Sequence, residues 1–436
     1  MKEFLKGQRI KTVSGRETVV HEKLGEFPRG MVYEVLRAEP GNGHYVLKWY
    51  FHGPGPRPGG SGRAVSYKNF RERVRRKIRK GAPSGDFLWP VDIAKPRGGR
   101  YGYMTHLIPP NYKNFSAFLR GDVLFDSVHA ITEAALGVVN AFEALHRKRF
   151  CFCDLDESDL FIDPQSGRTL LTGENVGPCD KKPKTACTIG YMAPGVVSGR
   201  ELPGVYTDRF SMAVLLFRLL FGDHPLEGKR ATLPCLTGKL KRDLYGTGPV
   251  FVYDPEDDSN RPARGVHVNL IKRWPLYPEF VKNAFIRAFS GEAMTGRGAK
   301  ARADEKEWGE IFTKLRDVAV WCSCGRETFI DLESPASKCI NCGANIAKPP
   351  ELRFKKRRIA LFPSTKLYHD RQTAGEVVRH NLYPDRWAIR NDSGLSWTVI
   401  DPAGSNKTIG RGQAVPIIDG LKISFGGLCD AEIRTE

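Results

Sequence analysis

The chain has 436 residues and a formal net charge of +19, from 68 lysines and arginines against 49 aspartates and glutamates. This length predicts two to three domains with ample buried core, and a hydrophobic content of 41% excludes a disordered chain. The N-terminus is charged and no apolar run reaches membrane-spanning length, so we expect a cytoplasmic protein without membrane contact. Ten cysteines with no evident disulfide framework fit reduced thiols in that compartment.

Much of the positive charge lies in three runs, residues 71–80, 181–184 and 355–358. Such runs are compatible with nucleic-acid or phosphopeptide partners. They lack interleaved aromatic residues, however, and the first run has Phe70, Val74 and Ile78 at helical spacing, which is typical of a solvated helix face. A nucleic-acid-binding adaptor therefore stays as the weaker alternative, and its binding would fall steeply with salt.

The first predicted element is a hairpin over residues 24–35, with Gly25, Gly30 and Val32 in the order of a loop that covers nucleotide phosphates. The next is a strand around Lys48, whose alternating apolar neighbours indicate a half-buried strand. A lysine on such a strand contacts nucleotide phosphates in phosphoryl-transfer enzymes. We therefore assign Gly25, Gly30, Val32 and Lys48 to nucleotide binding.

The turn of this hairpin departs from a glycine-rich loop. Residues 26–29 are bulky, Pro28 removes an amide that would approach phosphate, and Arg29 supplies charge in its place. A glycine- and proline-rich stretch, residues 53–62, predicts a loop before the next helix. On that helix we assign Glu72 as the partner of Lys48, although local pairing with Arg75 or Arg76 explains it almost as well.

Further along, Asp154 and Asp159 have the spacing of a catalytic loop, in which a carboxylate accepts the substrate proton and a residue five positions later holds magnesium. Asp156 adds a negative charge beside the expected phosphate. In the metal loop that follows, Thr172 offers only a neutral hydroxyl, which is a poor magnesium ligand. Glu174, two residues on, is the candidate substitute ligand together with Asp159.

The segment 190–195 reads as the end of an activation segment, except that the expected final glutamate is Gly195. A capping Thr207 or Asp208 precedes an apolar helix, and Arg302 suits the arginine that would pair with the missing glutamate. Within the preceding segment, Thr185 and Thr188 are candidate phosphorylation sites. Thr188 is better explained as a residue that positions substrate or Asp154.

These motifs, in this order, resemble a bacterial Ser/Thr protein-kinase-like family. Four further segments resemble its subgroup in the tellurite-resistance-associated phosphorylation system: residues 48–50, 81–90, 175–177 and 224–228. The resemblance implies a bilobal α+β kinase-like domain over residues 1–320, with a small lobe at about 15–105 and a large lobe at about 106–320. It also implies ATP with magnesium or manganese as cofactors, and a von Willebrand A protein and a metal-dependent protein phosphatase as partners.

Two functions follow from this resemblance. The resemblance implies a metal-binding aspartate at the position of Thr172. This exchange, together with Asp156 and the altered hairpin turn, favours a pseudokinase or weak Ser/Thr kinase that binds ATP and regulates or scaffolds its partner system. The alternative is an active kinase in which Asp154 is the base, Lys48 binds the phosphates and Glu174 helps to rebuild the metal site.

Four cysteines predict a structural zinc ribbon over residues 321–350: Cys322, Cys324, Cys339 and Cys342. Each pair is followed by a glycine, and four thiolates leave no open position for catalysis. The alternative is four reduced or redox-paired cysteines. Short alternating strands then predict a small all-β sandwich over residues 358–436, which resembles a forkhead-associated fold. The arginine and serine-histidine set of a phosphothreonine reader cannot be placed in it, so we expect a docking role.

Overall fold

The computed structural model describes residues 3–27, 30–37, 43–51, 67–179, 188–233, 237–295, 302–369, 372–380, 382–383 and 386–435. Helices and β-sheets are both abundant, which confirms the α+β class. Some residues singled out above lie outside the described residues: Pro28, Arg29, residues 53–62, residues 181–184 and Thr185. The chain divides into two compact units, one of residues 1–125, 137–270 and 285–305, the other of residues 126–136, 271–284 and 306–436.

The first unit begins with an antiparallel six-stranded sheet. In chain order its region contains β1 (Arg9–Lys11), β2 (Glu17–Phe27), β3 (Gly30–Arg37), β4 (His44–Tyr50), α1 (Tyr67–Lys80), β5 (Phe87–Leu88), β6 (Asp92–Arg97) and β7 (Arg100–His106). The sheet order is β1-β2-β3-β4-β7-β6. Its register places Gly25 opposite Val32, and Val32 opposite Lys48, so the hairpin and the lysine strand are adjacent as the sequence predicts.

Helix α1 packs one face against this sheet. Phe70, Val74 and Lys77 are its buried residues, at the spacing of one helix face. Phe70 and Val74 join a cluster with Tyr50, while the remaining basic residues of α1 are largely exposed. The apolar stripe predicted from the sequence is therefore present, but the buried face of the helix also includes Lys77.

The chain continues through mixed short strands and helices. They are β8 (Lys113–Asn114), α2 (Phe115–Arg120), α3 (Val128–Arg147), β9 (Phe150–Phe152), β10 (Leu160–Ile162), β11 (Thr169–Thr172), β12 (Val176–Pro178), α4 (Pro194–Val197), α5 (Val205–Phe221), α6 (Gly238–Arg242), α7 (Val268–Arg273), α8 (Glu279–Ala288), α9 (Gly291–Met294) and α10 (Glu305–Asp317). Strands β5, β11, β10 and β8 form one sheet, and β12 pairs with β9.

Helix α5 is the core helix of the first unit, with buried residues along almost its whole length. It ends at Gly222, whose φ of 84° is the left-handed conformation that glycine adopts readily. We expected no apolar run of membrane-spanning length, but helix α3 is long and apolar enough to cross a membrane by length and composition. Half of that stretch is buried inside the protein.

The second unit contains two small hairpins followed by two sheets. The strands are β13 (Ala319–Trp321), β14 (Glu327–Phe329), β15 (Ala336–Lys338), β16 (Asn345–Ala347), β17 (Glu351–Arg353), β18 (Arg358–Ala360), β19 (Lys366–His369), β20 (Gln372–Arg379), β21 (Trp387–Asn391), β22 (Trp397–Ile400), β23 (Asn406–Ile409), β24 (Ala414–Pro416), β25 (Lys422–Ser424) and β26 (Asp430–Arg434). A six-stranded sheet, β18-β17-β26-β25-β22-β23, and a four-stranded sheet, β19-β20-β21-β24, share one apolar core.

Helix segments belong to this second unit together with the β modules. Glu327 of β14 accepts a hydrogen bond from the amide of His129 at 3.4 Å, in the first turn of α3. Arg357 donates to both carboxylate oxygens of Asp317 at the end of α10, at 2.5 and 2.7 Å. Asp317 is 3% exposed, so this two-pronged contact is a desolvated one. The four-cysteine region and the sheets thus form specific polar contacts with helices.

Candidate functional site

The loop that carries Asp154 is anchored by a buried carboxylate on α5. Asp208 accepts a hydrogen bond from the amide of Phe152 at 2.8 Å and contacts His146 Nε2 at 3.1 Å. The other ring nitrogen of His146 lies 2.8 Å from Glu305. Burial opposes a charge on the imidazole, but hydrogen bonds to both carboxylates outweigh it and raise the pKa of His146 to about 9. A charged histidine therefore links two carboxylates behind the loop.

Asp154 is oriented by the segment that follows the metal loop. Its Oδ1 accepts a hydrogen bond from the amide of Thr188 at 2.6 Å. The hydroxyl of Thr188 is buried and has no hydrogen-bond partner among the described residues. The structure therefore brings together the two residues that the sequence linked, through the backbone of Thr188 rather than its side chain.

The metal loop begins where β11 ends, at Thr172. The Thr172 hydroxyl donates to Asp159 Oδ1, and Asn175 Nδ2 and the amide of Asp156 donate to Asp159 Oδ2 at 3.3 and 3.2 Å. Asp159 is only 3% exposed, and burial raises its pKa to about 7. Both oxygens of this candidate metal ligand are already occupied by protein donors.

Glu174 is the partner of Lys48. Its carboxylate lies 2.6 Å from Lys48 Nζ and also accepts a hydrogen bond from the hydroxyl of Tyr50. Burial alone would raise the pKa of Glu174, but the Lys48 charge and these hydrogen bonds lower it to about 2. The pKa of Lys48 is raised, because its neighbouring anions outweigh its burial. Glu174 is therefore ionised and held at the lysine.

The predicted Lys48–Glu72 pair is not formed in this structure. Glu72 lies on an exposed position of α1, and Lys48 forms its ion pair with Glu174 instead. The physical reason is the phase of the helix, because Phe70, Val74 and Lys77 define its buried face and Glu72 is not on it.

Lys77 is a site residue that the sequence reading missed. Its Nζ donates to the carbonyl oxygens of Gly173 and Glu174 at 2.6 and 2.8 Å, and its side chain is 5% exposed. Burial, helped by the charge of Arg73, lowers the pKa of Lys77 to about 7. The available signal was its spacing, since Lys77 follows Phe70 at a helical interval.

Trp89 fills the space beside this contact. Its indole nitrogen donates to the carbonyl of Lys77 at 2.9 Å. A Cβ at Gly173 would lie 2.5 Å from the Trp89 ring, so only glycine fits the loop at this point. Lys77, Trp89 and Gly173 therefore fix the backbone from which Glu174 projects.

The candidate phosphate hairpin is formed by β2 and β3. Gly30 is required by packing, since a Cβ there would lie 2.1 Å from the carbonyl oxygen of Trp49. Gly25 faces open space and has no atom within 4 Å of its Cβ position. Gly30 therefore has a structural role on the hairpin, whereas Gly25 leaves room for a ligand.

Gly195 stands where the sequence analysis expected a glutamate, and Glu201, six residues later, supplies a carboxylate beside it. A Cβ on Gly195 would lie 2.2 Å from Glu201 Oε2, so the Glu201 carboxylate occupies the space beside this glycine. Glu201 lies 3.6 Å from Arg302, whose side chain is 2% exposed. The sequence identified the arginine, while its partner comes from a different position.

The four predicted zinc ligands meet in the second unit. Their sulfur atoms all lie within 4.8 Å of one another, and no other group of three or more candidate ligands comes this close in the part of the chain that the structure describes. Gly325 and Gly343 turn the chain with φ of 77° and 75°, directly after Cys324 and Cys342. Four soft thiolates at these separations fit structural zinc and leave no open coordination position.

Comparison with known proteins identifies a kinase region. The sequence model of the protein kinase domain family matches residues 111–240 of this chain. The chain is 30% identical over 122 residues to ribosomal protein S6 kinase alpha-4 of Homo sapiens, covering 26% of this chain and 15% of that protein. It is 30% identical over 120 residues to the carbon catabolite-derepressing protein kinase of Secale cereale, covering 27% and 23%. It is 29% identical over 93 residues to serine/threonine-protein kinase 40 of Gallus gallus, covering 20% and 21%.

The match thus spans less than a quarter of the length of these curated relatives. It includes the loop of Asp154 and Asp159, the metal loop and helix α5. The chain carries a protein kinase region with distant Ser/Thr kinase relatives, followed by a four-cysteine cluster and all-β sheets.

Proposed function

We propose that the chain is a kinase-fold signalling protein that binds ATP through Lys48 and transfers phosphate weakly or not at all. A kinase region implies ATP and magnesium. Lys48 suits the phosphates, because it lies on β4 beside the hairpin of β2 and β3. Gly25 leaves space along that hairpin for a ligand. These residues fit the nucleotide.

The donor set does not fit magnesium as it stands. Carboxylate oxygens are the right kind of ligand, but Glu174 is held by Lys48 and Tyr50, and Asp159 by Thr172 and two further donors. A cation would have to displace these partners before it could bind.

The observation that carries the proposal is the charge on the metal loop. Lys48 pairs with the Glu174 side chain, and Lys77 donates to the Gly173 and Glu174 carbonyls. Two lysines thus contact a loop whose expected metal aspartate is a neutral threonine. Nucleotide phosphates would meet the Lys48 ammonium, with Lys77 holding the loop backbone behind it, and would not need a metal to bind there. Metal-independent binding of ATP is the expected behaviour.

Thermal unfolding with ATP, with and without magnesium or manganese, tests this directly. We expect stabilisation of the wild type that does not depend on metal, and its loss in Lys48→Met. Thr172→Asp should make stabilisation metal-dependent, because it adds the missing carboxylate beside Asp159. Thr295→Asp adds the same charge at an exposed position and serves as the control. Wild-type stabilisation that requires metal, or no stabilisation by ATP at all, would contradict the proposal.

An active kinase with a rewired metal site is the second candidate. The observation that favours it is the geometry of Asp154, which is held by Thr188 while its loop is anchored through Asp208. This candidate requires metal-dependent transfer of labelled phosphate to protein, abolished by Asp154→Asn. Transfer that survives in Asp154→Asn would point to a contaminating kinase.

As partners we propose the von Willebrand A protein and the metal-dependent phosphatase of the resembled system, met in the cytoplasm through the zinc ribbon and the β-sheets. The support is the family resemblance together with a C-terminal unit built of a four-cysteine cluster and two sheets. Binding of the purified full-length chain to each purified partner tests it. Absence of binding to both proteins would remove this part of the proposal.

A further inference from the structure

Three cysteines lie beside the catalytic loop, where the proposed function makes no use of them. Cys151 is in β9, Cys153 directly precedes Asp154, and Cys179 directly follows β12. Cys151 is fully buried, whereas the other two are partly exposed. None of the three is in a disulfide in this structure.

The pairing of the two strands places these side chains on one face. Strands β9 and β12 are antiparallel, with Cys151 directly opposite Gly177. The ladder extends to Cys153, whose amide donates to the carbonyl of Asn175 at 2.9 Å. Residues two apart on a strand share a face, as do residues directly opposite. Cys153 lies two residues after Cys151, and Cys179 two after Gly177, so all three thiols project to the same side.

Gly177 makes room for this cluster. A Cβ at that position would lie 2.8 Å from the sulfur of Cys153, closer than such atoms approach. Because the glycine has no side chain, the Cys153 sulfur lies over the neighbouring strand. Hydrogen bonding with Cys153 and Cys179, together with burial, raises the pKa of the Cys151 thiol. Cys151 is therefore the central thiol, in contact with each of the others.

We propose that Cys151, Cys153 and Cys179 form an oxidant-sensitive site in which hydrogen peroxide produces a disulfide centred on Cys151. This proposal does not depend on whether the chain transfers phosphate. It rests on the contact of a buried thiol with two accessible ones.

The chemistry balances with peroxide as a two-electron oxidant. The Cys153 thiolate attacks one peroxide oxygen and the O–O bond breaks, which gives a sulfenic acid and hydroxide; the hydroxide takes up the proton that the Cys153 thiol released and leaves as water. The Cys151 sulfur then attacks the sulfenic sulfur, forming the S–S bond while the S–O bond breaks and a second water leaves. Cys153 is the first residue to react because it is partly exposed. Its hydrogen bond with Cys151 also lowers its pKa, which favours the thiolate.

The third thiol provides an exchange step. A disulfide between Cys151 and Cys153 joins residues only two apart, whereas Cys179 lies on the partner strand. Attack by the Cys179 thiolate on the Cys151 sulfur moves the disulfide to the cross-strand pair and releases the Cys153 thiolate. The product ties β9 to β12, and so joins the strand before Asp154 to the strand after Glu174.

The experiment uses the zinc-loaded full-length chain. It is treated with a small excess of hydrogen peroxide, alkylated, digested without reductant and analysed by mass spectrometry. We expect disulfide-linked peptides that contain Cys151, and an unfolding temperature several degrees above that of the reduced protein, reversed by dithiothreitol. Cys151→Ser should abolish the linked peptides. Cys429→Ser, which changes a partly buried thiol between β25 and β26, should leave them unchanged.

Three results would overturn the proposal. They are reduced thiols at all three positions after peroxide, oxidation of Cys153 to sulfinic acid without a disulfide, and a disulfide from Cys151 to a cysteine outside the cluster. If Cys151→Ser does not fold, the double variant Cys153→Ser/Cys179→Ser provides the same test. It keeps the buried thiol and should give no intramolecular disulfide at Cys151.

Discussion

His146, which lies behind the loop that carries Asp154, should make the stability of the protein depend on pH. His146 has its pKa raised from 6.5 to about 9 by the carboxylates of Asp208 and Glu305, and its side chain is 8% exposed. A pKa higher in the folded state means that the charged histidine stabilises the fold. The rise corresponds to about 3 kcal/mol, since each tenfold change in proton affinity is worth about 1.4 kcal/mol. His146→Gln removes this contribution while keeping a side chain that can form hydrogen bonds.

The sign of the pH dependence follows from linkage. The stabilisation is fully present below pH 6.5, where the histidine is protonated in both states, and is lost as pH rises through 9. The free-energy difference between wild type and His146→Gln should therefore shrink by about 2–3 kcal/mol from pH 6.5 to pH 9. Groups that do not contact His146 titrate alike in both proteins and cancel in this difference. Glu305 also contacts Arg209 at 3.1 Å, and the substitution of His146 does not remove that arginine.

The assay is thermal and urea unfolding of both proteins across this pH range. About 1 kcal/mol corresponds to roughly 2–4 °C for domains of this size, so the convergence of the two curves is measurable. His106→Gln, which changes an exposed histidine at the end of β7, is the matched control. If the unfolding free energies of wild type and His146→Gln changed in parallel with pH, the reasoning would be refuted. Such a result would mean that His146 binds its proton equally well in the folded and unfolded protein.

Three further changes test other parts of the structure. Gly30→Ala places a methyl group 2.1 Å from a backbone oxygen and should cost about 1–3 kcal/mol in urea unfolding, whereas Gly25→Ala should cost under about 0.5; equal effects would contradict the packing role. Arg302→Leu leaves the Glu201 carboxylate without its partner and should cost about 3 kcal/mol, part of which a Glu201→Gln change restores; no rescue would exclude the pair. Chelation or Cys324→Ser should release zinc and expose residues 319–347 to protease, and unchanged proteolysis would argue against structural zinc.

Local spacing predicted the features that a short segment encodes. The interval from Asp154 to Asp159 and the four cysteines are fixed by turns of a few residues, so the sequence indicates them directly. Lys48 was identified for the same reason, from the alternation of the strand around it. Each of these inferences needs only the covalent chain and the period of one element.

Contacts between residues that are far apart in the sequence could not be predicted from local spacing. Lys48 and Glu174 are 126 positions apart, and their contact depends on how the sheet and the metal loop meet. The sequence assigned Glu72 because the resemblance places a glutamate on the helix, but the rotation of α1 exposes it. Lys77 was overlooked because the stripe was read as Phe70, Val74 and Ile78, and a lysine was not expected on a buried face.

The charges of α1 and the metal loop act as one arrangement. A glutamate facing the loop from the helix would add a second anion beside Glu174 and compete with it for Lys48. The helix instead presents Lys77, whose ammonium is satisfied by two carbonyls of the same loop. Reversal of the charge at Lys77 alone would leave those carbonyls without their donor and place a carboxylate against them. The helix and the loop therefore have to change together, because the position of Glu174 is set from both sides.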